Sequence, residues 1–132
     1  MAKESFICSI ITPEAAVYSG EVTFAVVPAH DGEVGFLRDR APFLVRLGVG
    51  SLRLEGGEGN QQFFVDGGFA EMVDNQLTVL TEQAIASTDL DATVAQEELS
   101  AAEGLPAHTA PEANLRDREL ARAKAKVRLA TQ

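Results

Sequence analysis

The groups of this 132-residue chain that could do chemistry are 20 acidic side chains, two histidines and one cysteine. Their spacing argues against catalysis. A metal site needs His, Cys or carboxylate ligands at defined separations. His30 and His108 stand far apart, each in a predicted loop with no second His or Cys at ligand spacing. A nucleophile triad needs a His beside Ser or Cys plus an orienting acid; His30 and Asp31 are adjacent, yet nothing marks a nucleophile. No carboxylate pair stands out as an acid–base couple. Gly56, Gly57 and Gly59 lack the following Lys of a phosphate-cradling loop and read as a turn. Cys8 alternates with apolar neighbours as a core residue, so no intrachain disulfide forms and a reducing compartment is favoured. No catalytic residue, metal site or cofactor is expected.

Two local patterns fit contacts better than chemistry. In Gly32-Glu33-Val34-Gly35, a charge between glycines projects from a tight turn toward a partner, or marks a plain β-turn; Arg40-Ala41-Pro42 follows. In Asp66-Gly67-Gly68-Phe69, paired glycines inside a strand pattern imply a bulge or a close backbone approach. Charge is unevenly spread. Residues 1–111 carry five cations against 17 acids, net −12, while residues 112–132 carry six cations against three acids, net +3. The total of −9 disfavours a nucleic-acid partner. A basic tail on an acidic body either meets an acidic surface or is simply a solvated helix. The start, Met1-Ala2-Lys3-Glu4-Ser5, has no basic region followed by a long apolar run, so no signal peptide is expected. No apolar stretch approaches the ~20 residues of a membrane helix, so any membrane association runs through partners.

The elements that must position these residues fall into two parts. Residues 1–86 read as short strands with frequent turn signals: Phe6–Thr12, Val22–Val27 ending at Pro28, Val34–Leu37, Ser51–Glu55, Phe63–Val65, Phe69–Val73, Gln76–Thr81 and Ala84–Ala86, with a hairpin loop at Gly56–Asn60. Such spacing predicts an antiparallel β-sandwich or barrel. Residues 87–132 read as a helix-loop-helix, with helices at about 89–103 and 112–130. Ser87-Thr88-Asp89 supply N-cap types, Gly104 and Pro106 stop the first helix, and Pro111 suits the start of the second. The apolar stripes are Ala92, Ala95, Leu99 and Ala102, then Ala113, Leu120, Ala123, Val127 and Ala130 with Ala121, Ala125 and Leu129 alongside. Alanine allows close approach but buries little area, at ~25 cal/mol per Å². The hairpin is therefore either loosely docked and detachable or permanently packed on the β domain.

Taken together, these residues resemble the epsilon chain of the rotary ATP synthase. The similarity runs through Ser19-Gly20-Glu21-Val22, Gly32-Glu33-Val34-Gly35, Ala41-Pro42-Phe43-Leu44, Gly67-Gly68-Phe69-Ala70-Glu71, Leu77-Thr78-Val79-Leu80, Asp89-Leu90-Asp91, Glu119-Leu120-Ala121 and Arg128-Leu129. The resemblance implies a ten-stranded all-β sandwich followed by a C-terminal α-helical hairpin. It implies a non-catalytic rotor subunit of a proton-translocating enzyme, joining the gamma shaft to the c ring and inhibiting ATP hydrolysis through the hairpin. It places Arg40, Ala41 and Pro42 at gamma and rests the sandwich on the c ring, where Glu33 is the expected contact because the Gly32–Gly35 turn should project its carboxylate outward. Arg116, Arg122 and Arg128 then face the catalytic beta chains. The implied location is peripheral, on the cytoplasmic face of a bacterial inner membrane.

The chain departs from the family's pattern in three places. Arg40 stands where the family often has His. Val94 replaces the Arg of the Ile/Leu-Asp-x-x-Arg-Ala nucleotide motif, of which Leu90, Asp91 and Ala95 match, leaving Asp91 and Arg128 as the remaining nucleotide candidates. The inter-helix loop is unusually rich in Pro and Ala. A β-sandwich ligand-binding module with a helical tail and a small hydrolase are the competing classes. Co-purification with gamma and c chains, or turnover by the isolated chain, separates the three.

Overall fold

The computed structural model describes residues 4–57 and 59–131. Residues 1–3 of the N-terminal reading, Glu58 of the Gly56–Asn60 loop and Gln132 lie outside the described residues. Eight strands are β1 (Phe6–Ile11), β2 (Ala16–Val22), β3 (Phe24–Ala29), β4 (Gly32–Phe36), β5 (Phe43–Glu55), β6 (Gln61–Val73), β7 (Gln76–Leu80) and β8 (Ala84–Ala86). They pair in the order β2-β1-β7-β6-β5-β3-β4, with β8 also on β6. All pairs are antiparallel except β1 with β7. Phe6, Cys8, Ile10, Phe36, Leu52 and Met72 are among the side chains that fill the buried centre.

Several strands are longer than the sequence pattern predicts. Ser19-Gly20 lies in the middle of a strand not expected from the pattern, β2, where Gly20 leaves room for the Tyr18 ring. That ring meets Phe63 at 5.7 Å. Pro28 does not end β3. It lies within it, opposite Glu33, and the β3–β5 ladder becomes irregular between Val26 and Ala29, as expected where a residue has no N–H to donate.

β5 and β6 form one ribbon whose register is unbroken from Phe43↔Met72 to Leu54↔Gln61. The inward-facing set nevertheless reverses along it. Leu47, Ala70 and Met72 face the core at one end; Leu52, Leu54, Phe63 and Val65 do so at the other. A strand of strict period 2 cannot do this without a local rotation. Gly67 and Gly68 supply it, at φ 69° and 101°. A Cβ on Gly68 would collide with the carbonyl oxygen of Leu80, so the expected close backbone approach is present. The described residues form eight strands rather than the ten that the resemblance implies, because β5 and β6 each run on through the bend as one continuous strand.

The helices begin later and earlier, respectively, than predicted. Ser87–Asp89 is a 3₁₀ turn, and Leu90 is extended. Helix α1 (Ala92–Glu103) starts after Asp91, whose carboxylate accepts from the N–H of Thr93 at 2.8 Å and of Val94 at 3.1 Å. The cap is therefore Asp91, because its side chain and not that of Asp89 reaches the free amides. Helix α2 (Ala110–Ala130) opens on a capping box between Thr109 and Glu112, two residues before the predicted start at 112, with Pro111 in its first turn. α2 packs antiparallel to α1 and lies on β5 and β6. Ala95, Ala102, Ala123, Ala125 and Leu129 are buried, whereas Ala92 and Ala121 are exposed. Phe64, on the outward side of β6, anchors a second apolar cluster with Ala125 and Leu129. No helix among the described residues is long and apolar enough to cross a membrane.

Candidate interaction surfaces

The layer β2-β1-β7-β6-β5 presents an uncovered outer face. Neighbouring strands align Arg46, Phe69, Leu80, Ile11 and Ala16 across it, and beside them Leu44, Glu71, Thr78, Ser9 and Ser19. Leu44, Phe69 and Leu80 are 62%, 50% and 50% exposed. Large apolar groups massed on one outer face mark a place where another macromolecule sits.

Arg40, Ala41 and Pro42 lie exposed at one edge of this layer, just before β5. The Arg40 guanidinium stands 4.5 Å from the Phe43 ring centre and 5.2 Å from that of Phe36, and donates to the carbonyl of Gly35 at 3.1 Å. This cation–π clamp fixes the side chain. The loop is tied down as well. The Asp39 N–H donates to Asn75 Oδ1 at 2.7 Å, and Asn75 Nδ2 donates back to Asp39 Oδ1 at 3.1 Å. Glu33 is not in a turn. It lies in β4 opposite Pro28, one residue past the His30-Asp31 hairpin, and is exposed. Glu33 and Arg40 therefore flank opposite ends of β4 and do not form one site.

The hairpin meets the β domain through charge as well as alanine. Arg122 Nε lies 3.1 Å from Asp66 Oδ1 and 3.0 Å from Asp66 Oδ2, and its Nη1 donates to Glu119 Oε1 at 2.7 Å. Burial alone would lower the Arg122 pKa. Its hydrogen bonds to Asp66 and Glu119 and their charges more than reverse this and raise it, so the guanidinium is always charged. Lys126 Nζ pairs with Glu98 at 3.1 Å and lies 5.2 Å from the Phe64 ring centre. Arg116 donates to the Glu103 carbonyl at 3.4 Å. Arg128 is exposed, with no ion-pair partner among the described residues. Asp66, Glu98, Lys126 and Phe64 were absent from the sequence-predicted site. The only sequence signal for Asp66 is an acid set directly before paired glycines in a largely apolar strand.

A cavity of about 650 Å³ opens between the hairpin and the β domain, lined by Asp66, Glu98, Leu115, Glu119, Arg122 and Lys126 among others. Neither Asp91 nor Arg128 lines it. The Asp91 carboxylate already caps α1, and Val94 is half exposed with no polar group to offer. Among the described residues no cluster of His, Cys, Asp and Glu could hold a metal ion. His30 and His108 are both exposed.

A β-sandwich with an uncovered apolar face and a charged, folded-back helical hairpin defines an interaction subunit of a larger assembly. Residues 5–87 match the family model described as ATP synthase, Delta/Epsilon chain, beta-sandwich domain. The chain is 40% identical over 121 residues to the ATP synthase epsilon chain of Rhodopirellula baltica, covering 92% of this chain and 94% of that one. It is 39% identical over 98 residues to the epsilon chain of Leptospira interrogans, covering 74% and 77%. The chain belongs to the ATP synthase epsilon chain family. Its fold recurs in a chain of the Euglena gracilis mitochondrial ATP synthase, solved as OSCP, F1 and c-ring, with a TM-score of 0.84 at 18% identity over 97% of this chain and 82% of that one. A chain from the Tetrahymena thermophila mitochondrial ATP synthase central stalk and c-ring gives 0.68 at 15% identity, over 99% and 97%.

Proposed function

We propose that this chain is a non-catalytic rotor subunit in the central stalk of a proton-translocating ATP synthase. The β domain, residues 1–86, joins the gamma chain to the c ring. The hairpin, residues 87–132, restrains ATP hydrolysis by meeting the catalytic beta chains. The observation that carries this reading is the uncovered face around Leu44, Phe69 and Leu80, beside the clamped Arg40-Ala41-Pro42 segment. That surface matches what a permanent docking partner such as gamma needs, an apolar centre with a polar rim. Glu33, at the other end of β4, is free to face the polar loop of a c chain. The exposed Arg128, with Arg116 and, once released, Arg122, supplies the cations for an acidic surface on the beta chains. The subunit sits peripherally on the cytoplasmic face of a bacterial inner membrane, held there by these partners. Nucleotide is not part of the proposal, because Asp91 is engaged in capping.

The test replaces Phe69 and Leu80 by Asp in the assembled enzyme. Burying two carboxylates against an apolar partner costs several kcal/mol. The doubly substituted chain should be lost from the purified complex while remaining folded by itself. Retention at normal stoichiometry would move the gamma contact elsewhere.

A further inference from the structure

The six cations of α2 are not equivalent. Arg122 is turned back onto the β domain rather than outward. Its acceptor, Asp66, is placed with care. It occupies the break on one edge of β6 between the stretch paired with β8 (Phe63–Val65) and the stretch paired with β7 (from Phe69 on). Its own N–H is held by Thr81 Oγ1 at 3.0 Å and by the Gln83 carbonyl at 3.2 Å, and Thr81 is buried. Next to it are Gly67 and Gly68, whose positive φ sets the corner. The backbone of Asp66 is thus held in place independently of the helix, and with the hairpin docked only 14% of its side chain is exposed. Arg122, at 33%, is already oriented by Glu119 one turn earlier on its own helix. A held backbone on one side, a guanidinium already paired with Glu119 on the other and partial burial of both side chains raise the contact above an ordinary surface ion pair.

We propose that Asp66 and Arg122 form a latch that holds the hairpin down on the β domain, with Glu119 as the rest position for the guanidinium when the latch opens. The proposal rests on the reading of the hairpin as a movable element. It reverses the role that a basic helix alone would give Arg122. In the folded-down state this cation opposes extension. Lys126 adds a second strand to the same hold, since it ties Glu98 of α1 to the face of Phe64. Apolar packing under the helix is a small cluster of Ala125 and Leu129 on Phe64, with half-buried Val49, Ile85 and Leu90 around it. Loss of one charge-assisted hydrogen bond shifts the docking equilibrium about tenfold whatever the rest of the interface contributes. Release leaves Arg122 paired with Glu119, so only the Asp66 contact is lost.

The chain carries its own gauge. Cys8, its one cysteine, is fully buried in the β core, and reacts with a thiol reagent only when that core opens. Ala125→Cys places a second thiol under α2, buried against Phe64, which reacts whenever the hairpin lifts. In the full-length chain at low salt, Asp66→Asn and Arg122→Ala should each speed labelling of the introduced thiol about tenfold, since hydrogen bonds between charged groups are worth about one such factor or more. Labelling of Cys8 should stay slow. The exchange Asp66→Arg with Arg122→Asp should recover part of the slow rate. Unchanged labelling in both single variants overturns the latch. So does equal acceleration of Cys8, which would mean general loosening. In the assembled enzyme Asp66→Asn should lower ATP hydrolysis at least twofold, by freeing the hairpin. If the isolated chain opens as described but hydrolysis is unaltered, the latch stands and the inhibitory reading of the hairpin fails.

Discussion

The β domain and the helical hairpin are built from different side chains, and the difference sorts what is fixed from what can move. Inside the β domain, Ile10, Phe36, Leu52, Leu54, Met72 and Leu77 are almost fully buried. Between hairpin and β domain the buried contacts come from Phe64, Ala125 and Leu129, supplemented by Arg122 and Lys126. Apolar area is contributed by large residues in the first region and is scarce in the second. The first should unfold as a whole, and the second should separate from it at lower cost. The rotor body and the movable arm of the proposed function thus correspond to two regions of different composition within one chain.

The sharpest break of this contrast comes from two truncations. Phe36→Ala, at the fully buried centre, should cost about 3–5 kcal/mol and lower the melting temperature of the whole β domain. Leu129→Ala should leave that melting temperature nearly unchanged. Its cost is capped at the docking free energy of the hairpin, and faster hydrogen exchange confined to α1 and α2 should report it. Equal melting shifts in the two variants would mean that the two regions unfold as one unit.

Alkaline titration probes the same division with a smaller effect. Burial pushes the Cys8 thiol up from its ordinary 9.0 to about 12. Below pH 9 both folded and unfolded thiols are protonated, so the contribution is fully present. Above it the unfolded thiol ionises while the folded one does not. Stability of the β domain should fall by about 1.4 kcal/mol per pH unit until the folded thiol itself ionises. Cys8→Ala should flatten the curve between pH 9 and 11, as followed by denaturant unfolding. An unchanged slope in that variant would assign the alkaline loss to other groups.

The smallest expected signal is from ATP. With Val94 in place of an Arg fork and Asp91 already accepting from two amides of α1, calorimetry on the isolated chain should detect no saturation at micromolar nucleotide. Saturation there would make the hairpin a ligand-held arm rather than a charge-held one.

How much of this was readable beforehand varied with the range of the interactions. The β-then-hairpin order was legible from turn spacing and from helical periodicity, both local. The helix starts were misplaced by two or three residues, since Ser87, Thr88, Asp89 and Asp91 are all cap types and only geometry selects Asp91. β2 and the first half of β5 were missed. Gly20, Gly48 and Gly50 interrupt the apolar pattern there, and they are close-approach points, under Tyr18, against the Ala29 carbonyl and against Pro28. Arg122 read as one more cation in a basic helix. Its partner is 56 residues away in the chain, and no local pattern announces an acid on a strand corner. The Arg40 segment was flagged, but its clamp by Phe36 and Phe43 depends on where β4 and β5 run.

The long β5–β6 ladder, constant in register, also gives the molecule a mechanical grain. Its hydrogen bonds run perpendicular to the strands, from Phe43↔Met72 to Leu54↔Gln61 with a gap at Gly48 and Gly67. A force sliding one strand along the other loads all those bonds together. A force prising the ribbon apart at the Gly56–Gln61 end loads them one after another. The domain is accordingly stiff to shear along the ribbon and weak to peeling from its tip. A torque delivered along the strand axes would be carried with little give, and the same torque applied at the tip would unzip it.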